Sequence, residues 1–146
     1  MRKTILKHAF VILTVAFVLG LVAGAVGGTH SPMAKAWLAS HMTGILIALL
    51  MSVVGLAWPD LQLGPRARRV LYWATVPANY INMVVLGILA PALGGAPAIA
   101  VPEAPAPADG VKALLVAGIA FATVASFLMA GLVLYGLRRR PGDAQT

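Results

Sequence analysis

Residues 37 to 58, WLASHMTGILIALLMSVVGLAW, form a long apolar run whose one ionisable side chain is His41. A hydrocarbon bilayer core is about 30 Å thick and takes roughly 20 helical residues to cross, so this run is long enough to span it. Three further stretches repeat the pattern, at residues 9–28, 70–90 and 111–137. Charged residues are 10% of the chain and hydrophobic residues 60%, with a mean hydropathy of +0.91. Soluble domains carry about 25% charged residues. A chain this apolar cannot hide its surface from water, and within lipid every backbone polar group needs an internal partner. The expectation is an all-α integral membrane protein: a four-transmembrane-helix bundle forming a single membrane domain over residues 1–146.

The segments between the runs fix its organisation. Pro32 breaks the chain after the first span, Pro59 stops the second, and Pro77 should kink the third by freeing a carbonyl one turn back. Trp37 and Trp58 bracket the second span as interfacial indoles, and Tyr72 and Trp73 mark the start of the third. Residues 91–109 hold five prolines and read as an ordered or extended lid or linker, and residues 141–146 as a frayed tail. Gly20, Gly24 and Gly28 recur every four positions, as do Gly118, Ala122, Ser126 and Ala130, two stripes suited to close helix packing. The basic start MRKTILKH resembles a signal-peptide n-region, but the apolar stretch that follows is too long, and the first span is expected to be retained.

Lys and Arg divide unevenly. Nine lie at the N-terminus, in the loop between spans two and three, and at the C-terminus; only Lys35 and Lys112 lie on the other side. By the positive-inside rule both termini are cytoplasmic, in a bacterial-type inner membrane. The net charge of +7 therefore sets topology and touches anionic lipid headgroups, and nucleic acid is not the expected partner.

Chemistry is narrowed by what is missing. There is no cysteine, which excludes disulfides, thiolate metal sites and thiol catalysis. The four acids, Asp60, Glu103, Asp109 and Asp143, fall outside the spans, so a buried carboxylate pair is not available for acid–base work. The sequence has no P-loop, GxSxG, HExxH or GxGxxG motif. The polar residues inside the spans are His41, Thr43 and Ser52 on the second, Asn79, Tyr80 and Asn82 on the third, and Thr123 and Ser126 on the fourth.

An ionisable residue inside a span is a functional hypothesis by default. His41 has two readings: a neutral histidine hydrogen-bonded to a neighbouring helix, or an axial ligand to haem iron or another metal, a task imidazole performs without carrying charge. Gly44, one turn on, would leave room for a flat ligand against the backbone. Asn79 and Asn82 stand at i and i+3 on one face, either as glue between helices or as ligand contacts. Tyr80 points about 100° away. His8 and His30 read as interfacial, although His8 begins the first span.

With these residues in view, the chain resembles the small four-helix membrane isomerases that include styrene oxide isomerase and hydroxylaminobenzene mutase. The segment SHMTGIL is similar to the family's second-helix motif of His followed three residues later by Gly. VGLAWP ends that helix as in the family, PANY resembles its Ala-Asn motif in helix three, and His8 with Gly20 resembles its first-helix pattern. The likeness runs to about Gly95 and more weakly through the last span.

The resemblance implies a trimer with haem b between subunits, its iron ligated by the residue matching His41. It implies a redox-neutral rearrangement: epoxide to aldehyde by Lewis-acid ring opening and hydride migration (a Meinwald rearrangement), or aryl hydroxylamine to aminophenol. The substrate would be a small apolar aromatic molecule, oriented by Asn79, Asn82 or Tyr80. Two positions depart from the family: Ile47 stands where it usually has Asn, and Met83 where styrene oxide isomerase has Tyr. The alternatives are a non-enzymatic haem-binding or haem-sensing protein, and a small transporter or scaffold subunit.

Overall fold

The structure, a computed structural model, describes residues 1–26, 32–92 and 108–138. They form five helical segments: α1 (Arg2–Ala25), α2 (Pro32–Ala57) with a 3₁₀ turn at Trp58–Asp60, α3 (Pro65–Asn82), the single turn α4 (Ala90–Ala92), and α5 (Asp109–Leu137). A π-helical stretch, Met83–Leu89, joins α3 to α4. No strand occurs among the described residues. Three helices, Arg2–Ala25, Met33–Asp60 and Asp109–Leu137, are long and apolar enough to cross a membrane. The third predicted span is divided: its α-helical part opens with Arg66, Arg68 and Arg69, and its apolar part is largely the π stretch.

The helices extend past the apolar edges predicted for them. Lys and Arg are good helix formers, so α1 continues through its basic start to Arg2, seven residues before the predicted edge. Pro32 opens α2 and Pro65 opens α3, positions where a missing N–H costs no helical hydrogen bond. α3 remains helical through Pro77. Most of the proline-rich segment (93–107), the C-terminal tail, Gly28 and His30 lie outside the described residues.

α1 and α2 are the most extensively packed pair. The buried residues of α1 are Ile5, Ala9, Ile12, Ala16, Leu19 and Ala23, alternating steps of four and three that keep one face on its neighbour. Large and small residues alternate along that seam, and α2 answers with glycines. A Cβ on Gly55 would lie 2.9 Å from Leu6 Cδ2, and one on Gly44 2.7 Å from Ala16 Cβ. These contacts make the pair antiparallel. The predicted glycine stripe on α1 is not this seam: Gly20 borders it, and Gly24 has nothing within 4 Å of its Cβ position.

α3 packs mainly on α5, with Val85 and Leu86 of the π stretch filling the notch at Gly118. The loop after α2 turns inward: Leu61 and Leu63 are buried, Gln62 N–H donates to Gly136 O at 2.8 Å, and Arg68 Nη2 donates to Leu61 O at 2.9 Å. These contacts bring the start of α3 and the end of α5 to the same end of the bundle. Trp58 is 6% exposed, packed into the core beside this loop. The outer surface carries many large apolar side chains, with Leu21 75%, Phe127 76% and Leu134 72% exposed. An apolar exterior matches a lipid surrounding, in which packing fit and interhelical hydrogen bonds hold helices together.

Candidate functional site

His41 lies on α2 where it crosses α1. Its Nδ1 is 2.8 Å from the Ala16 carbonyl oxygen. A carbonyl can only accept, so Nδ1 carries the proton and donates, and Nε2 is the nitrogen left free to bind something else. The ring lies flush against α1, where a Cβ on Gly20 would stand 2.8 Å from Nδ1 and 3.0 Å from Cε1. Phe17 borders it with ring centroids 6.1 Å apart. His41 is half-buried, and Phe17 is 55% and Met42 53% exposed, so the imidazole sits on an outer flank of the helix pair.

The flat ligand expected beside Gly44 has no room there. The Cβ side of Gly44 is filled by Ala16 Cβ at 2.7 Å and Met83 Cε at 3.0 Å. Gly44 is where α1, α2 and the π stretch meet. It bears on His41 through Ala16, whose carbonyl holds the ring.

The three candidates on α3 do not converge. Asn79 is buried, and its Nδ2 donates at 2.6 Å to Thr75 O on its own helix. Tyr80 faces α1, where its hydroxyl is 3.0 Å from His8 Nδ1 and the two rings meet edge to face at 5.5 Å. Asn82 instead lines a groove of about 560 Å³ between α2 and α5, together with Thr43, Thr123 and Ser126. Its Oδ1 is buried without a hydrogen-bond partner among the described residues. The i, i+3 spacing led to one shared face; the Asn79 side chain turns back on its own helix instead, and Asn82 stands at the junction with the π stretch, where the helical period changes. Ser52 bonds back to Ala48 O at 2.8 Å and is satisfied within its helix.

Tyr80→Phe is expected to lower stability by about 0.5–1.5 kcal/mol, the worth of one interhelical hydrogen bond. Denaturant titration in detergent measures it, and His8→Phe should give a similar loss that is not additive with the first.

The groove is mostly apolar, walled by Leu50, Leu86, Ile119 and Phe127, and Asn82, Thr43, Thr123 and Ser126 are its polar lining. Thr43 is two residues beyond His41, about 200° round the helix, so within one chain the groove and the imidazole lie on different sides of α2. Ile47 and Met83, the departures from the family pattern, are both core residues at 7% and 3% exposure. The sequence reading missed Ala16, Phe17 and Gly20 as the surroundings of His41. The signals at Gly20 were its place in the four-residue repeat and, with His8, in the first-helix pattern.

The donor set fits a group held by a single imidazole. Among the described residues no three His, Cys, Asp or Glu side chains cluster to cage a bare ion. The Ala16 carbonyl engages His41 Nδ1 and leaves Nε2 as the candidate ligand nitrogen, and a backbone carbonyl behind a metal-binding histidine is the usual way its ring is oriented. This fits an axial ligand to haem.

The architecture is thus that of a small, all-helical membrane protein with one mounted histidine and a separate amphipathic groove. A family profile described as styrene oxide isomerase matches residues 1–138, and the chain belongs to that family. It is also 29% identical over 136 residues to hydroxylaminobenzene mutase HabB of Ectopseudomonas oleovorans, covering 89% of this chain and 79% of that one. No solved structure gives a significant match.

Proposed function

We propose that this protein is a haem b-dependent membrane isomerase that rearranges a small apolar epoxide or an N-hydroxy arene without net redox change. The observation carrying this reading is the His41 Nδ1–H bond to Ala16 O, which leaves Nε2 as a ligand nitrogen in a chain of the styrene oxide isomerase family. The bound haem would supply an electrophilic iron. An isomerisation needs such an electrophile and a shaped apolar pocket, and makes no demand for titrating carboxylates.

The chain's own residues then have distinct tasks. Ala16 and Gly20 fix the His41 ring. Asn82, with Thr43, Thr123 and Ser126, offers hydrogen bonds to the polar end of a substrate whose ring is held by the groove's apolar walls. Those walls also keep water from an activated substrate. Asn79 supports α3 and is removed from the substrate-contact set. Because His41 and the groove lie apart within one chain, the working unit is a homo-oligomer, a trimer by family resemblance, with the haem between copies. Both termini are cytoplasmic and four segments span the membrane. Support for this comes from the basic residues: the packing of Gly55 on Leu6 and of Gly136 on Leu63 draws the basic N-terminus, the arginines that open α3, and Arg138 toward one end.

Asn82→Leu should lower kcat/KM by about 10- to 100-fold, since one lost hydrogen bond to a developing charge is worth about 1.5–3 kcal/mol. Haem content should not change. Asn79→Leu should lower stability and leave kcat/KM within about threefold. Product analysis of haem-loaded protein with styrene oxide and with hydroxylaminobenzene tests the reading itself. Conversion of either, lost in His41→Ala, is the expected result; no conversion of any epoxide or N-hydroxy arene would sink it.

A second reading, haem binding without turnover, is favoured by Ile47 and Met83, buried apolar residues at the positions where the resemblance implies an Asn usual in the family and the Tyr of styrene oxide isomerase. A spectrally normal haem protein inert toward both substrates would select it.

A further inference from the structure

We infer that Gly20 is a positioning residue for His41: its missing side chain is the seat in which the imidazole lies. This rests on the reading of His41 as an iron ligand, but its first test does not need haem.

Three ring atoms crowd the space a Cβ on Gly20 would take: Nδ1 at 2.8 Å, Cε1 at 3.0 Å and Cγ at 3.1 Å. Carbon and nitrogen in van der Waals contact stay about 3.5 Å or more apart, so the ring and a methyl group cannot share the position. The other half of the seat is the Ala16 carbonyl, one turn earlier on the same helix, which accepts the Nδ1 proton at 2.8 Å. Gly20 and Ala16 thus act as floor and latch. The floor lets the ring come close enough for the latch to engage, and the latch decides which nitrogen is left to bind a ligand.

The competing explanation is that Gly20 is one member of a small-residue stripe that brings two helices together. The same stripe argues against it. Gly24, the next position in the repeat, has nothing within 4 Å of its Cβ site. Backbone approach along α1 is served instead by the seam of Ile5, Ala9, Ile12, Ala16, Leu19 and Ala23. The three atoms nearest the Gly20 Cβ position all belong to one side chain, that of His41. A ring at the end of a rotatable side chain can swing away, so Gly20→Ala should fold; what it loses is the ring's position and its bond to Ala16.

The experiment has two arms. In the first, thermal midpoints are measured in detergent for haem-free protein carrying Gly20→Ala alone, His41→Ala alone, and both. The expected result is a lower midpoint for Gly20→Ala in the wild-type background and no further lowering in the His41→Ala background, where no ring remains to be displaced. An equal drop in both backgrounds means that Gly20 only packs helices, and overturns the inference. In the second arm, haem is titrated into wild type, Gly20→Ala and Gly24→Ala. Gly20→Ala should bind about 10- to 100-fold more weakly, the usual cost of losing a group that orients a metal ligand, with a shifted iron–histidine stretching band in the ferrous resonance Raman spectrum. Gly24→Ala should match wild type in both. Wild-type affinity and an unshifted band in Gly20→Ala overturn the inference while leaving the haem reading intact. Absence of haem binding by wild type overturns the haem reading, and the first arm still decides the seat.

Discussion

Replacing His41 by alanine is expected to give a folded protein that no longer retains haem. The side chain lies on an outer flank of the α1–α2 pair and contributes one hydrogen bond to α1. The Ala16 carbonyl it leaves is already within a continuous helix, so no buried polar group is stranded. Stability should fall by about 0.5–1.5 kcal/mol, the typical net worth of that bond. Haem affinity should fall by more than about 100-fold, beyond the range usual for losing a group that merely orients a ligand. Added imidazole should restore part of the absorbance, because the space left beside Gly20 has the shape of the missing ring. Haem titration of the purified variant measures the first effect, and titration with imidazole the second.

The largest effect on stability is expected at Gly44. Here the obstacle to a Cβ is another Cβ, that of Ala16, only 2.7 Å away, with Met83 Cε and Sδ at 3.0 and 3.3 Å. A Cβ cannot rotate aside, so Gly44→Ala must push α1 off α2 and disturb the buried Met83. Overpacking of a close-packed site costs about 1–3 kcal/mol, and Gly44→Val should cost more. Haem binding should weaken as well, since Ala16 carries the carbonyl that holds His41. Two comparisons isolate the cause. Ala16→Gly together with Gly44→Ala should recover most of the stability, because it restores one small residue at the crossing. Gly131→Ala, where the Cβ position is open, should change nothing. Unfolding in a graded denaturing detergent supplies the numbers.

Much of the fold was legible because lipid allows few solutions. Long apolar runs in a chain with few charges must be helices, and the helices observed fall on the four predicted stretches. Their ends were not legible. Hydropathy marks where a helix leaves hydrocarbon, whereas the backbone keeps its hydrogen bonds into the basic flanks, as at Arg2 and Pro65. Change of helix type at Met83 was hidden too, since an α- and a π-turn differ by one residue.

At the site, the expectation that His41 has a task or a partner followed from physics alone, and the partner within the chain is the Ala16 carbonyl. Which nitrogen is free did not follow, because that depends on Ala16, 25 residues earlier in the chain. Repeats of small residues at spacing four were real in the sequence but ambiguous in meaning. On α1, Gly20 receives a side chain while Gly24 meets nothing; on α5, Gly118 receives Val85 and Leu86, while Ser126 and Ala130 line the groove. Spacing identifies where a helix can be approached, and only the neighbouring helix determines by what. Asn79 and Asn82 teach the same lesson: both lie in α3 at i, i+3, but a shared helix face does not aim a side chain, and Asn79 bonds back to its own helix while Asn82 lines the groove.

The measurement that tests the central claim most directly is the absorbance spectrum of the wild-type protein, purified in detergent and supplemented with haem, recorded beside His41→Ala. The account predicts a saturable Soret band in wild type, with the spectrum of a single-imidazole haem, and its loss in the variant. A wild-type protein that stays colourless, or a band that His41→Ala leaves unchanged, would contradict it.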